Sequence, residues 1–390
     1  MDVQGANDSQ RVSVCILSSG RNANDERIYY KIGRSLRKHY EKIIIIAPGD
    51  WDHRFDDDIE FISIPKRRSR WNRFATLRSL FQKAKEIPAS IYQCEEVDSW
   101  LIGWLVARKR AARLVFDAHE FDPAGVAGGA PRLIRGFLWF AVVAVERFLS
   151  RKTDLILVAN DIVRGYFLIL NRFVRVVKLE NVPVLALFNE GTPNKQGGAL
   201  LCHEGSLGFN RGLKTMVRLV DRLRQAGVNV RLRIVGDVYG DERAWLDGEL
   251  ECRNLGGCIE TTGWLKYPEV GKAIEGCDIG LIAMHPIPSN MLSGHPNKLF
   301  NYMRYGLPVV APDFPEIARV VREEQCGSIY AAGNEDCLFE AVMELVKNKD
   351  KRATVGLNGK RAALREYNWE NMERRLLRAY SALEPTKAGN

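Results

Sequence analysis

Short apolar runs, often β-branched, recur along this chain and alternate with longer stretches of helical periodicity. Residues 12–17, 43–47, 59–64, 91–94, 114–118, 155–159 and 176–179 read as buried strands. Helical spacing fills 25–40, 71–86, 97–112 and 131–150 between them. Alternation of this kind predicts a parallel sheet with helices on both faces. Residues 183–198 break the pattern with two prolines and three glycines and read as a linker. The alternation then restarts, with strands at 200–203, 230–235, 259–262, 279–283, 309–311 and 328–330. Helices are predicted at 213–226, 242–253, 267–276, 296–305, 315–324 and 334–347. The expected architecture is α/β: two doubly wound, Rossmann-like domains, 1–185 and 199–366, joined by a linker at 186–198 and facing a central cleft. Ligands of such sheets bind outside the carboxyl ends of the strands.

The segment 295–310, HPNKLFNYMRYGLPVV, is the most informative. Pro296 can open a helix in its first turn, where a missing N–H costs nothing. Gly306 stops that helix, Pro308 forbids its continuation, and Val309 and Val310 start a strand. Lys298 falls in the first turn, beside Asn297, where the macrodipole disfavours a cation. An anionic ligand there would be favoured by both the dipole and Lys298, so the pattern predicts a phosphate site.

Length and composition limit the alternatives. A chain of 390 residues exceeds the size at which single cores stop growing. A net charge of +9 points to anionic partners. Nucleic acid is disfavoured, because zinc-finger spacing, an aromatic RNA-binding signature and a long basic tail are all missing from the sequence. The eight cysteines show no Cys-x-x-Cys pair and no metal-ligand spacing, which suggests a reduced, cytoplasmic setting. The longest apolar run, 137–145, is far short of the roughly 20 residues that span a bilayer. Any membrane contact is expected to be peripheral.

Several strand ends carry candidate chemistry. The run 203–213, HEGSLGFNRGL, lets the backbone at Gly205 approach a ligand, and Arg211 can meet phosphate oxygens bidentately. Gly236 follows the strand 230–235 and offers backbone contact to a nucleoside base, although ordinary turn chemistry explains it equally well. Gly-x-Gly-x-x-Gly and Gly-Lys-Ser/Thr are both missing, against dinucleotide oxidoreductases and P-loop NTPases. In the first domain, 114–123 is a strand ending in Asp117, His119, Glu120 and Asp122. A histidine beside carboxylates can bind sugar hydroxyls or act as an acid–base group. Gly20, in the loop after the first strand, could touch a substrate; Asp25 reads first as an N-cap. Two stretches bear on surface attachment. Residues 66–74 mix five cations with two aromatics and suit an anionic lipid surface; 132–152, with Leu, Phe, Trp and Val on one side and Arg at its ends, fits the same attachment, but a core helix is the stronger reading.

These residues resemble bacterial GT-B glycosyltransferases, and among them the family-four group, "glycosyl transferases group 1". The resemblance covers almost the whole chain. Asp25 and Arg27 match an Asp-x-Arg in the first helix; residues 117–120 match Asp-x-His-Glu; residues 181–183 match Asn-x-Pro. Arg211-Gly212 stands for Lys-Gly, and 296–308 matches Pro-x-Lys-x-x-Glu-Tyr-Met-x-x-Gly-x-Pro. Residues 369–383 resemble the terminal helix, so 367–390 is expected to cross back to the first domain.

What the resemblance implies is sugar transfer from a nucleotide-sugar donor, a UDP- or GDP-sugar. The acceptor would be a saccharide or polyprenyl-linked saccharide at the inner-membrane surface, and no cofactor or metal is implied. Donor binding would fall to Arg211, Lys298, Asn297, Asn301, Gly205 and Gly236. Catalysis would involve His119, Glu120 and Asp122, with Gly20 and Asp25 on the acceptor side. Retention at the anomeric carbon is the family expectation. A related glucuronosyltransferase family that inverts carries Lys-x-x-Gln-Tyr at the same helix; for inversion, Glu120 or Asp122 would be the base. Three positions depart from the pattern: Asn301 and Ser293 where the family has Glu, and Ser206 where it has Arg. Two other activities therefore stay open, a non-catalytic sugar-nucleotide-binding protein and a sugar-nucleotide epimerase.

Overall fold

The computed structural model describes residues 13–50, 53–66, 72–119, 121–124, 131–187, 197–292 and 294–384. The chain divides into two units. One runs to Leu179 and resumes at Met372; the other is Glu180–Asn371. The change of unit at residue 371 falls inside the helix Trp369–Ser381.

In the first unit the strands are β1 (Ser13–Leu17), β2 (Lys42–Pro48), β3 (His53–Asp56), β4 (Ile59–Ile64), β5 (Ile91–Cys94), β6 (Arg113–Ala118), β7 (Leu155–Val158) and β8 (Arg175–Lys178). Among the described residues they form one sheet in the order β3-β4-β2-β1-β5-β6-β7-β8. All pairings are parallel except β3 with β4. Continuous apolar strands such as KIIIIAP are what a sheet covered on both faces requires. The core beneath it includes Trp100 stacked on Phe116 at 3.8 Å.

The second unit holds β9 (Ala199–Glu204), β10 (Val230–Val235), β11 (Ile259–Thr261), β12 (Ile279–Leu281), β13 (Val309–Pro312) and β14 (Gly327–Tyr330). Their order, β11-β10-β9-β12-β13-β14, is wholly parallel. The winding direction reverses between β9 and β12, and doubly wound sheets bind ligands beyond the strand ends at such a switch. In the first unit the reversal lies between β1 and β5.

Several expectations need correction. Pro296 is the N-cap rather than the first helical residue, with extended backbone, and the helix is Asn297–Tyr305. The segment 25–40 begins as a π-wound turn, Glu26–Gly33, before the short α-helix Arg34–Arg37. Helices Asp161–Leu170 and Lys349–Arg365 were not foreseen. The stretch 132–152 forms the helix Arg135–Ser150, but among its residues only Glu146, Leu149 and Ser150 are buried. It is apolar on nearly every side, so periodicity could not show which side faces water. Of the basic stretch 66–74, residues 67–71 lie outside the described residues, as do Glu120, Ser293 and 188–196 of the linker. Among the described residues no helix is long and apolar enough to cross a membrane.

Candidate functional site

In the second unit the chemistry gathers where β9 ends and the helix Asn297–Tyr305 begins. Tyr302 joins the two. The Glu204 N–H donates to its hydroxyl (2.8 Å), and that hydroxyl lies 3.2 and 3.3 Å from the carbonyls of Cys202 and Leu281. Its ring lies on Gly280, where a Cβ would stand 2.3 Å from Cδ2. This contact fixes the helix N-terminus over the strand ends.

Lys298, in the first turn, is 4 % exposed, and among the described residues its Nζ makes no hydrogen bond or ion pair. Gly205 passes beneath it, with its Cβ direction 3.7 Å from Nζ. Burial, and then the charge of Arg211, push the Lys298 pKa down to about 8, while Glu204 pulls the other way. A buried ammonium without a counter-ion is costly. Arg211 ends a single 3₁₀ turn, Phe209–Arg211, two residues before the helix Leu213–Gln225, and is exposed. It is close enough to act electrostatically on both Lys298 and His203.

Two residues here were not singled out in the sequence. His203 is fully buried, and neither ring nitrogen finds a hydrogen-bond partner among the described residues. Burial, then Lys298 and Arg211, hold its pKa well below the usual imidazole range, although backbone groups of Leu281 and Ser206 oppose them. Glu204 accepts from Asn301 Nδ2 at both oxygens, at 2.9 and 3.0 Å. Asn301 is 1 % exposed, so its amide nitrogen is spent on Glu204. A carboxylate thus sits beside position 301 although the residue there is an amide. Asn297 opens the helix and is half-buried. Gly236 has φ +152°, and a Cβ there would lie 2.5 Å from the Gly205 carbonyl oxygen. Its need for glycine is therefore met by backbone packing against Gly205.

The first unit builds a second cluster at the ends of β5 and β6. Arg27 forms a two-pronged pair with Asp117, Nε–Oδ2 2.7 Å and Nη2–Oδ1 2.8 Å, and donates to the Leu179 carbonyl at 2.8 Å. His119 Nε2 lies 2.6 Å from Glu95 Oε2, and Gln93 Nε2 donates to Glu95 Oε1 at 2.6 Å. Tyr380, on the terminal helix, donates in turn to Gln93 Oε1. All of these side chains are buried. Burial and the neighbouring Asp117 push Glu95 far up. Burial and the cations Arg21, Arg27 and Lys31 push His119 far down. Glu95, Asp117 and His119 bring their ligand atoms within 4.8 Å of one another, close enough for a cation. Arg27 holds both Asp117 oxygens, however, and Gln93 and His119 hold those of Glu95.

The remaining predicted residues are placed differently. Asp122 lies near Glu146 and Tyr166; burial raises the pKa of both, and Asp122 adds a smaller push in the same direction. Asp25 caps the π-wound turn, accepting from the N–H groups of Arg27 (2.9 Å) and Ile28 (3.3 Å). The Gly20 N–H donates to Glu96, which also accepts from Ser18 Oγ and Ser19 N. This acidic partner, at the end of β5, was not legible beforehand.

Comparison with known proteins converges on one fold. Solved structures resemble the chain over nearly its full length. Sucrose-phosphate synthase from Thermosynechococcus elongatus gives a TM-score of 0.76 at 16% identity, covering 96% of this chain and 99% of that one. HepE from Anabaena, in complex with UDP-glucose, gives 0.71 at 14% identity, over 95% and 99%. WaaG, a glycosyltransferase involved in lipopolysaccharide biosynthesis, gives 0.67 at 16% identity, over 94% and 98%. The fold is that of the GT-B glycosyltransferases. Residues 198–348 match the family profile described as "Glycosyl transferases group 1", which places the Lys298 cluster inside the matched region. The amylovoran biosynthesis glycosyltransferase AmsK of Erwinia amylovora is 24% identical over 158 residues. That stretch is 40% of this chain and 38% of AmsK.

Proposed function

We propose that this GT-B chain is a glycosyltransferase, using a UDP- or GDP-linked sugar as donor and a saccharide or polyprenyl-linked acceptor in the synthesis of a cell-envelope polysaccharide or glycoconjugate. The carrying observation is Lys298: a buried ammonium at a helix N-terminus, without an anion of its own chain bonded to it. A diphosphate matches this setting. The helix N-terminus, Lys298 and exposed Arg211 all favour negative charge, and the Gly205 turn leaves room for close approach. The same groups would stabilise charge growing on the leaving diphosphate, which supports a metal-independent transfer. Resemblance to the family supports retention at the anomeric carbon. Glu204, held by Asn301, is the carboxylate positioned to bind the ribose hydroxyls. HepE was solved with UDP and with UDP-glucose, which favours a uridine donor. AmsK and WaaG carry names from amylovoran and lipopolysaccharide biosynthesis, which favours an envelope acceptor and work at the cytoplasmic face of the membrane.

Thermal stabilisation by UDP, GDP and their sugars, followed by label transfer from the best donor into a membrane extract, tests the reading. Stabilisation with transfer is expected. Stabilisation without transfer under any acceptor would replace the enzyme by a binding protein, and no stabilisation at all would remove the donor site.

A further inference from the structure

The helix Arg135–Ser150 turns an apolar stripe to solvent. Leu133, just before it, is 99 % exposed; Phe137 and Phe140 are each 74 % exposed; Phe148 follows at 45 %. Steps of three, four and eight residues put these side chains on one helical face. Asn171 Nδ2 donates to the Ser150 carbonyl at 2.9 Å, tying the neighbouring helix to the same end. Near that tie stand Ile169, 85 % exposed, and Phe173, 83 % exposed. Solvent-facing apolar patches of this extent mark interaction surfaces.

The charges around the stripe identify the partner. Arg132, Arg135, Arg147, Arg151 and Lys152 flank it and are exposed, as is Arg172 beside Phe173. The helix's one acidic residue, Glu146, is buried and accepts from the Tyr166 hydroxyl. The surface therefore offers apolar side chains ringed by cations, with no exposed carboxylate from the helix. An anionic lipid bilayer has the complementary character: a hydrocarbon layer beneath negative headgroups. At 16 residues the helix is too short to span, since spanning takes about 20, so it suits lying in the interfacial plane.

We infer that this helix face docks the protein on an anionic lipid bilayer. The inference rests on the glycosyltransferase reading only in giving docking a purpose, access to a lipid-linked acceptor. Co-sedimentation of the full chain with phosphatidylcholine vesicles, with and without phosphatidylglycerol, tests it. Binding is expected only to the phosphatidylglycerol vesicles and is expected to weaken with salt. The double variant Phe137→Ser/Phe140→Ser should lower partitioning at least tenfold, as loss of buried apolar area requires, roughly. The variant Arg132→Gln/Arg147→Gln should lower it by a factor of about 25, about five per cation. Both variants change exposed side chains, and unchanged melting without ligand confirms that they fold.

Equal vesicle binding by wild type and the phenylalanine variant would overturn the inference, as would no binding at all. A dimer in sedimentation equilibrium that the phenylalanine variant dissolves would overturn it too, reassigning the stripe to contact between copies. Nucleotide-induced stabilisation should be the same in every variant. Its absence throughout would count against the donor site and leave the docking result standing.

Discussion

Replacing Lys298 by Met should stabilise the nucleotide-free protein while weakening its response to nucleotide. A pKa of about 8 against an ordinary 10.5 means that keeping this ammonium charged costs the folded state about 3 kcal/mol at neutral pH. The unfolded chain holds the proton up to its ordinary pKa, whereas the folded chain releases it near 8. Between those two values the unfolded state binds more protons, so the stability of the empty protein rises with pH across that window. Below it the cost is present in full. Methionine keeps the apolar stem and deletes the charge. The melting temperature of the empty variant at pH 7 should rise by several degrees, at roughly 2–4 °C per kcal/mol for a unit of this size. The rise between pH 8 and 10 should flatten. UDP or GDP, by restoring a counter-ion, should stabilise wild type and, at the same concentration, stabilise the variant much less. Scanning fluorimetry at pH 7 and 9.5, with and without nucleotide, reads all of these quantities. A nucleotide-free variant that melts lower than wild type would instead make Lys298 a structural tie.

Other contacts give equally specific expectations. Arg27→Ala strips the buried Asp117 carboxylate of both its guanidinium bonds and should cost about 3–5 kcal/mol in urea unfolding; a loss under 1 kcal/mol would show that the pair is dispensable. Gly280→Ala pushes a methyl into the Tyr302 ring and should cost about 1–3 kcal/mol, with weakened nucleotide binding because the same ring fixes the helix start. Glu95→Gln keeps the shape beside His119 but removes the carboxylate in contact with its Nε2. The pH profile of transfer should shift while nucleotide affinity stays constant, and an unshifted profile would sever the dyad from the chemistry.

Much of this architecture could be read from the strands alone. Uninterrupted apolar runs such as 43–47 have only one stable home, a parallel sheet covered on both faces, and the 296–310 motif placed a helix, its Gly306 stop and the next strand correctly. What escaped was non-local or lacked periodicity. Glu204 and Asn301 meet across 97 residues, and nothing near either one announces the other. The helix Lys349–Arg365 has no clear apolar stripe and carries Gly356 in its interior. A Cβ there would come within 2.1 Å of the Gly306 carbonyl oxygen, so that glycine serves a close helix approach rather than a break. The helix Arg135–Ser150 misled for the opposite reason: apolar residues on all sides fit a core as well as an interface. His119 was legible as chemistry, but its partner Glu95 lies just beyond the end of another strand, β5, and is visible only once the sheet is built.

On this reading Lys298 and Arg211 together bind the donor diphosphate. Calorimetric titration of wild type, Lys298→Ala and Arg211→Ala with UDP and GDP at pH 7 tests it most directly. Each substitution removes one charge-assisted contact and should weaken the better nucleotide by about 1.5–3 kcal/mol, roughly 10- to 150-fold. Wild-type affinity retained in both variants would mean that neither cation holds the diphosphate.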